Sequence, residues 1–341
     1  MHLRPDRETG IFLTVRQTNK MPKNRRAGHF IMLAVTLIFG MNIPLSKSLL
    51  PVWISPEGLT LSRILFATGA FWIASLFVPR EKVPFKDHRF FLIASLCGVS
   101  FNQGLFLLGL NMTSPIDASI IITCGPLFAM IFAALLLKEP ITFLKISGVL
   151  VGATGAILLV YNAHHAITVH SSSLAGNLMV FGSSVIYAFY LVFSKPLTQR
   201  YSPVTLMKWM FLYASVMVTP LYLGKVISAP VFHHPEVTPV LQMMYTLFMA
   251  TFITYLLIPM AQQRIRPTTV SMYNNLQPLV ASFVTVAIGM DHFTVIKGLS
   301  ALLIFCGVYL VTRSKAKPEE VKGPLEEWEA PETRFTKIDP T

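Results

Sequence analysis

The chain has 341 residues, of which 53% are hydrophobic and only 13% charged, and its formal net charge is +12. Soluble domains carry about twice that share of charge, so the composition excludes an ordinary soluble fold. The positive charge does not indicate nucleic acid, because the basic residues collect at the ends of apolar runs.

Residues 1–28 are polar and basic apart from the short run Ile11–Val15. They fit neither a signal peptide nor a spanning helix, and Met1 and Met21 both qualify as a start. A spanning helix needs roughly 20 mostly apolar residues. Ten runs meet that requirement, near 30–50, 58–78, 89–110, 114–137, 142–161, 174–197, 203–224, 239–262, 267–289 and 293–312. The connections are short, which predicts an all-α membrane protein with one polytopic domain. The tail 314–341 is rich in Lys, Glu and Pro and is expected to be disordered.

With a cytoplasmic N-terminus, one set of flanks holds Lys23, Arg25, Arg26, Arg80, Lys82, Lys86, Arg89, Lys138, Arg200, Arg264, Arg266, Arg313, Lys315 and Lys317. The opposite connections hold only Lys225. This positive-inside bias predicts both termini in the cytoplasm and a multi-pass position in the cell (inner) membrane.

Two stretches repeat without a gap at an offset of 152 positions, the distance from Pro115 to Pro267. Ser119 then falls on Ser271, Pro126 on Pro278, Lys145 on Lys297 and Gly155 on Gly307. A duplicated membrane unit with matching helix-interrupting prolines is the sequence mark of a secondary transporter. The expected architecture is two five-helix repeats, 29–161 and 174–313, joined by an external linker 162–173. Five is odd, so the copies should lie inverted in the bilayer around a central cavity.

The run Phe39-Gly-Met-Asn-Ile-Pro-Leu-Ser-Lys47 resembles the first-helix pattern of the EamA-type drug/metabolite transporters (the DMT superfamily). Ser62-Arg63-Ile-Leu-Phe-Ala67 resembles the second-helix arginine motif of that family. Thr113 through Ala118, then Gly125-Pro126-Leu127, Lys138-Glu139-Pro140 and Gly148 follow its order and spacing. Phe39 stands where a tryptophan is common, and Asp291 where a glutamate is usual. The resemblance implies a ten-helix inverted-repeat permease with a central cavity, without naming a substrate.

Lipid offers no hydrogen bonds, so polar groups at mid-membrane depth must face protein or water. Counting from segment starts puts Asn42, Asn102, Gln103, Thr123, Ser184, Tyr187, Tyr190, Thr251, Tyr255, Asn274, Asn275 and Gln277 near the midplane. They fall on segments one, three, four, six, eight and nine, which are expected to surround the cavity, with the other four outside. The substrate-binding candidates are Asn42, Asn102, Gln103, Thr123, Tyr187, Tyr190, Tyr255, Asn274, Asn275 and Gln277. Serine, threonine and tyrosine can also simply bond across helices. Pro126 and Pro278 lack an N–H, which should free the carbonyls of Ile122 and Asn274 for ligand binding.

Arg63 is about one turn inside the second segment, apart from the midplane amides. It could snorkel, pair with Asp117 or Glu57, or meet an anionic substrate. Lys47 and Lys195 are placed to snorkel. No Asp or Glu lies near any midplane, which argues against cation–proton exchange at a central acid and favours a neutral, zwitterionic or anionic metabolite. The stripe Gly148-x-x-x-Gly152 and Gly155 suits close packing inside the monomer or a dimer face.

A secondary, non-ATP transporter of small polar metabolites such as amino acids is the expected function. The alternative is a membrane-embedded enzyme acting on lipid or lipid-linked groups. His164, His165, His170, His233 and His234 come without a nucleophile motif or paired carboxylates, so no catalytic residue is assigned. Cys97, Cys124 and Cys306 show no pairing or metal-ligand spacing. The expected partners are a small-molecule substrate and the lipid bilayer, with no nucleic acid, cofactor or metal, and a chain working as monomer or homodimer.

Overall fold

A computed structural model describes residues 25–113, 118, 121–164, 173–280 and 295–314. All regular structure among them is helical. The main helices in chain order are α1 (Arg25–Leu49), α2 (Pro56–Ala74), α3 (Phe85–Met112), α4 (Gly125–Leu136) and α5 (Phe143–His164). After the linker come α6 (Leu174–Phe193), α7 (Pro203–Ile227), α8 (Val237–Gln262), α9 (267–280, which begins with the helical turn Pro267–Met272) and α10 (Val295–Arg313). A short helical segment, Lys195–Arg200, extends α6. Of these, α1, α3, α6, α7 and α8 are long and apolar enough to cross a membrane. Shorter apolar stretches occupy α4, α5 and α10.

Local chemistry sets several helix starts. Ser55 accepts a hydrogen bond from the Gly58 amide, and Ser202 accepts one from the Thr205 amide. Each precedes a proline at the first helical position, where the missing N–H costs nothing. The turn before α5 is held by an ion pair between Lys145 and Glu139 at 2.6 Å.

Contacts fix the helix directions. At the start of α1, Gly28 packs on Ile265 just beyond the end of α8. At its other end, Ser48 donates to Gln242 near the start of α8 (3.0 Å). Thus α1 and α8 are antiparallel. In the same way Gly98 packs on Tyr190 and Gly109 on Gly176, so α3 and α6 are antiparallel. The Lys47 ammonium near the end of α1 donates to the carbonyls of Leu110, Asn111 and Thr113 at the end of α3. Helices α1 and α3 therefore share a direction, and α6 runs opposite to α1.

The glycine stripe of α5 is used within the chain. A Cβ added to Gly307 of α10 would lie 2.6 Å from the Gly148 carbonyl oxygen, and one added to Gly155 would lie 2.9 Å from the Ser300 carbonyl oxygen. Only residues without a side chain permit that approach. Helix α2 packs on α7, with Phe71 stacked on Phe211 at 5.6 Å. Thr68 donates there to the Phe211 carbonyl at 3.0 Å.

Four segments depart from regular α-helix. A π stretch, Leu96–Phe101, interrupts α3, and another, Tyr245–Ile253, interrupts α8. A turn at 123–124 precedes α4, and a 3-10 turn, Tyr273–Leu276, follows Pro267–Met272 in α9. Each irregularity changes the angular phase of the residues beyond it, and such bulges collect at functional sites.

Candidate functional site

The irregular segments converge on one cavity. Its walls come from Phe39, Asn42 and Ile43 of α1, Arg63 of α2, and Asn102, Gln103 and Phe106 of α3. Ile122 and Gly125 line it from the start of α4, Ser183, Ser184 and Tyr187 from α6, Tyr255 from α8, and Asn274 and Gln277 from α9. Its volume of about 100 Å³ is several times what one water requires, so it can hold a small solute.

The π stretches set its chemistry. They end at Phe101 and Ile253, and Asn102-Gln103 and Thr254-Tyr255 follow directly. The Gln103 amide donates to the Tyr255 hydroxyl at 2.9 Å, and that hydroxyl donates to the Gly98 carbonyl at 3.1 Å. Asn102 donates to the carbonyl and hydroxyl oxygens of Ser183 at 3.1 and 3.2 Å. On α9, Gln277 donates to the Asn274 side-chain oxygen at 3.2 Å. Two buried amide oxygens on this wall, Asn42 Oδ1 and Gln103 Oε1, have no hydrogen-bond partner. Buried polar atoms are nearly always paired, so these two mark places where a donor is wanted.

Of the residues singled out by sequence, Asn42, Asn102, Gln103, Ser184, Tyr187, Tyr255, Asn274 and Gln277 line the cavity together. Thr123, Tyr190, Thr251 and Asn275 do not. Tyr190 is buried because Gly98 opposite lets its ring settle between α6 and α3. Asn275 is one residue, about a third of a turn, past Asn274. It faces Gly152 of α5 instead. Thr251 is spent on Arg63 and on its own π turn. Asp117 lies outside the described residues.

Arg63 is the main departure from expectation. It shares the cavity with the amides and is 4% exposed, so it does not snorkel. Its Nε donates to Thr251 Oγ1 at 2.8 Å and its Nη2 to the Ala250 carbonyl at 3.2 Å. Depth read along a sequence locates a Cα, whereas an arginine delivers its charge several ångströms away. Helix α2 thus joins the inner set. Lys47 and Lys195 also reach inward, each to the C-terminal carbonyls of another helix.

The second proline departs from expectation as well. Pro126 stands in the first turn of α4, directly after the turn at 123–124. In α9 the Asn274 carbonyl is not free. It accepts from the Gln277 amide through the 3-10 turn, which tightens to satisfy the group that Pro278 cannot. Sequence reasoning passed over Ser183, Ile43 and Phe106, and singled out Ile122 only for its carbonyl. Ser183 is adjacent to the chosen Ser184, while the three apolar residues carry no mark to distinguish them from lipid-facing neighbours.

The chain matches the EamA-like transporter family over residues 26–161 and again over 174–313. It is 23% identical over 288 residues to an uncharacterized transporter, YyaM, of Bacillus subtilis (strain 168), covering 82% of this chain and 92% of that one. It is 28% identical over 166 residues to a probable terminal-alkyne amino-acid exporter of Streptantibioticus cattleyicolor, covering 48% of this chain and 54% of that one. A crystal structure of a protein 16% identical in sequence shares the fold, with a TM-score of 0.69 over 84% of this chain and 97% of the other. Two successive family matches, on a multi-pass helical membrane chain with a polar central cavity, make this protein a member of the EamA-like transporter family.

Proposed function

We propose that this protein is a secondary transporter that moves small polar metabolites, such as amino acids, by alternating access between two inverted five-helix repeats. The reading includes ten spans, repeats at 29–161 and 174–313, a linker at 162–173 and both termini on the cytoplasmic side of the cell (inner) membrane. The predominance of basic residues in one set of connections supports that orientation.

The hydrogen bond between Gln103 and Tyr255 carries the proposal. These residues are 152 positions apart, so each occupies the other's place in the repeat. Two equivalent residues touch only where a two-fold axis passes between them. Contacts away from the axis should then occur in exchanged pairs, and they do. Gly148 meets Gly307, and their images at the same offset, Ser300 and Gly155, meet each other. The opposite directions of α1 and α6 further support an axis in the membrane plane. The cavity at that axis is where inverted-repeat carriers bind solute. A relative named as a probable amino-acid exporter supports the substrate class.

The test is counterflow in liposomes containing the purified full chain. A panel of amino acids, amines, nucleosides and sugars is offered as labelled solutes, without ATP. Accumulation of at least one against an unlabelled load is expected. Failure of every solute, with protein that remains monodisperse and folded, overturns the proposal.

A further inference from the structure

Arg63 is a charge held in a place where charge is costly. It is nearly fully buried, and its two hydrogen-bond acceptors, Thr251 Oγ1 and the Ala250 carbonyl, are neutral. An arginine has five N–H donors in a planar fork, so those bonds leave most of the fork uncommitted. Neither resolved ion pair among the described residues includes Arg63, and none of the described residues lining the cavity is acidic. A buried cation without an anion is a strong liability for folding. Its retention on a cavity wall is explained if the anion arrives with the solute.

Resting on the transport reading above, we propose that Arg63 binds the carboxylate of the substrate, and that the transported class is small carboxylates that also carry an N–H donor. A guanidinium matches a carboxylate with two parallel hydrogen bonds. The unpartnered oxygens Asn42 Oδ1 and Gln103 Oε1 belong to residues of the same wall and are themselves buried, so a donor on the solute meets them once the two amides turn toward it. They suit the ammonium of a free amino acid. A phosphate ester fits less well, because one arginine among neutral amides leaves its second charge uncompensated. The bonds to Thr251 and Ala250 hold the fork against the π stretch of α8, so occupation of the site is felt directly by that helix.

The experiment pairs each amino acid with its methyl ester and with the primary amine lacking the carboxylate. Counterflow is measured with the wild-type chain in liposomes, and melting temperature in detergent. At least tenfold weaker competition by the ester and the amine than by the parent acid is expected. Arg63→Lys should raise the half-saturating concentration at least tenfold while the melting temperature stays within a few degrees, since an ammonium keeps the charge but loses the fork. Arg63 serving only as a brace between α2 and α8 would move the melting temperature and leave the ester discrimination untouched. Esters or amines carried as well as acids overturn the carboxylate proposal while transport itself stands. No flux of any solute overturns the transport reading and this inference with it. The analogue series needs no variant, so it decides the matter even if Arg63 variants fail to fold.

Discussion

At one end of the bundle Lys47 donates to the carbonyls of Leu110, Asn111 and Thr113, at 2.8, 3.1 and 3.0 Å. At the other end Lys195 donates to those of Gln262 and Ile265. The acceptors correspond: Leu110 and Thr113, moved by 152 positions, are Gln262 and Ile265. The donors do not. The position matching Lys47 is Gln199, whose amide is 3.5 Å from the Gln262 and Gln263 carbonyls, at the limit of a hydrogen bond. The second copy has its lysine one helical turn earlier and more deeply buried. The acceptors are backbone carbonyls, present whatever the side chains, and a lysine need only reach them. Corresponding helix-end carbonyls are therefore capped in both copies while the residues that cap them drift.

The glycine contacts between α5 and α10 admit no such drift, because the space itself is the requirement. Gly307→Val should be the most damaging single change. Its Cβ would meet backbone atoms of Gly148 and Gly152 at 2.6 Å, and backbone cannot rotate away. A loss of about 3 kcal/mol is expected from overpacking, read as a large fall in melting temperature. Gly155→Val should cost a similar amount if the two sites are images of each other. A harmless Gly155→Val beside a disabling Gly307→Val would break the symmetry argument.

The same contrast explains what the sequence made legible. Lipid demands long apolar runs, so the five long apolar helices could be read from composition, and the two successive family matches could be read from a repeat marked by glycines and prolines whose geometry has no substitute. Asn102, Gln103 and Asn274 were legible because amides at that depth need a polar surrounding. Arg63 was misplaced because its charge is not at the depth of its Cα. Asn275 was misplaced because the phase shift of a 3-10 turn decides which of two adjacent residues faces inward, and Tyr190 because Gly98 on α3 leaves room for its ring. Such a shift depends on tertiary packing and has no local sequence signature. The lysine caps were missed for the same reason, since their partners are carbonyls of another helix.

Lys195→Met should rank next. Lys195 is 7% exposed, and removing its ammonium strands helix-end carbonyls of buried residues. Loss of charged hydrogen bonds of this kind costs about 2–3 kcal/mol. Lys47→Met should cost less, about 1 kcal/mol, the usual scale for a cation at a helix C-terminus with access to solvent. Lys47 is only partly buried, so water can replace it. Melting curves of the two variants side by side give the ranking. Equal losses would show that burial does not separate the two ends.

The smallest effect is also the sharpest test. In the Lys195→Met background, Gln199→Lys should restore about 1 kcal/mol, the value of a lysine at a helix C-terminus. Position 199 matches position 47, whose lysine already spans this gap in the first copy. Its amide lies 3.5 Å from two of the three equivalent carbonyls, so a longer side chain with a mobile ammonium can close the remaining distance. The same Gln199→Lys change in the wild-type chain should give nothing, or a slight loss, because Lys195 already occupies the site and a second cation would repel it. Recovery in the first background and none in the second would show that capping at this end is one job open to either residue. Recovery in neither would mean that the backbone near Lys195 is shaped for that residue alone, and that the two ends of the bundle are less alike than their carbonyls.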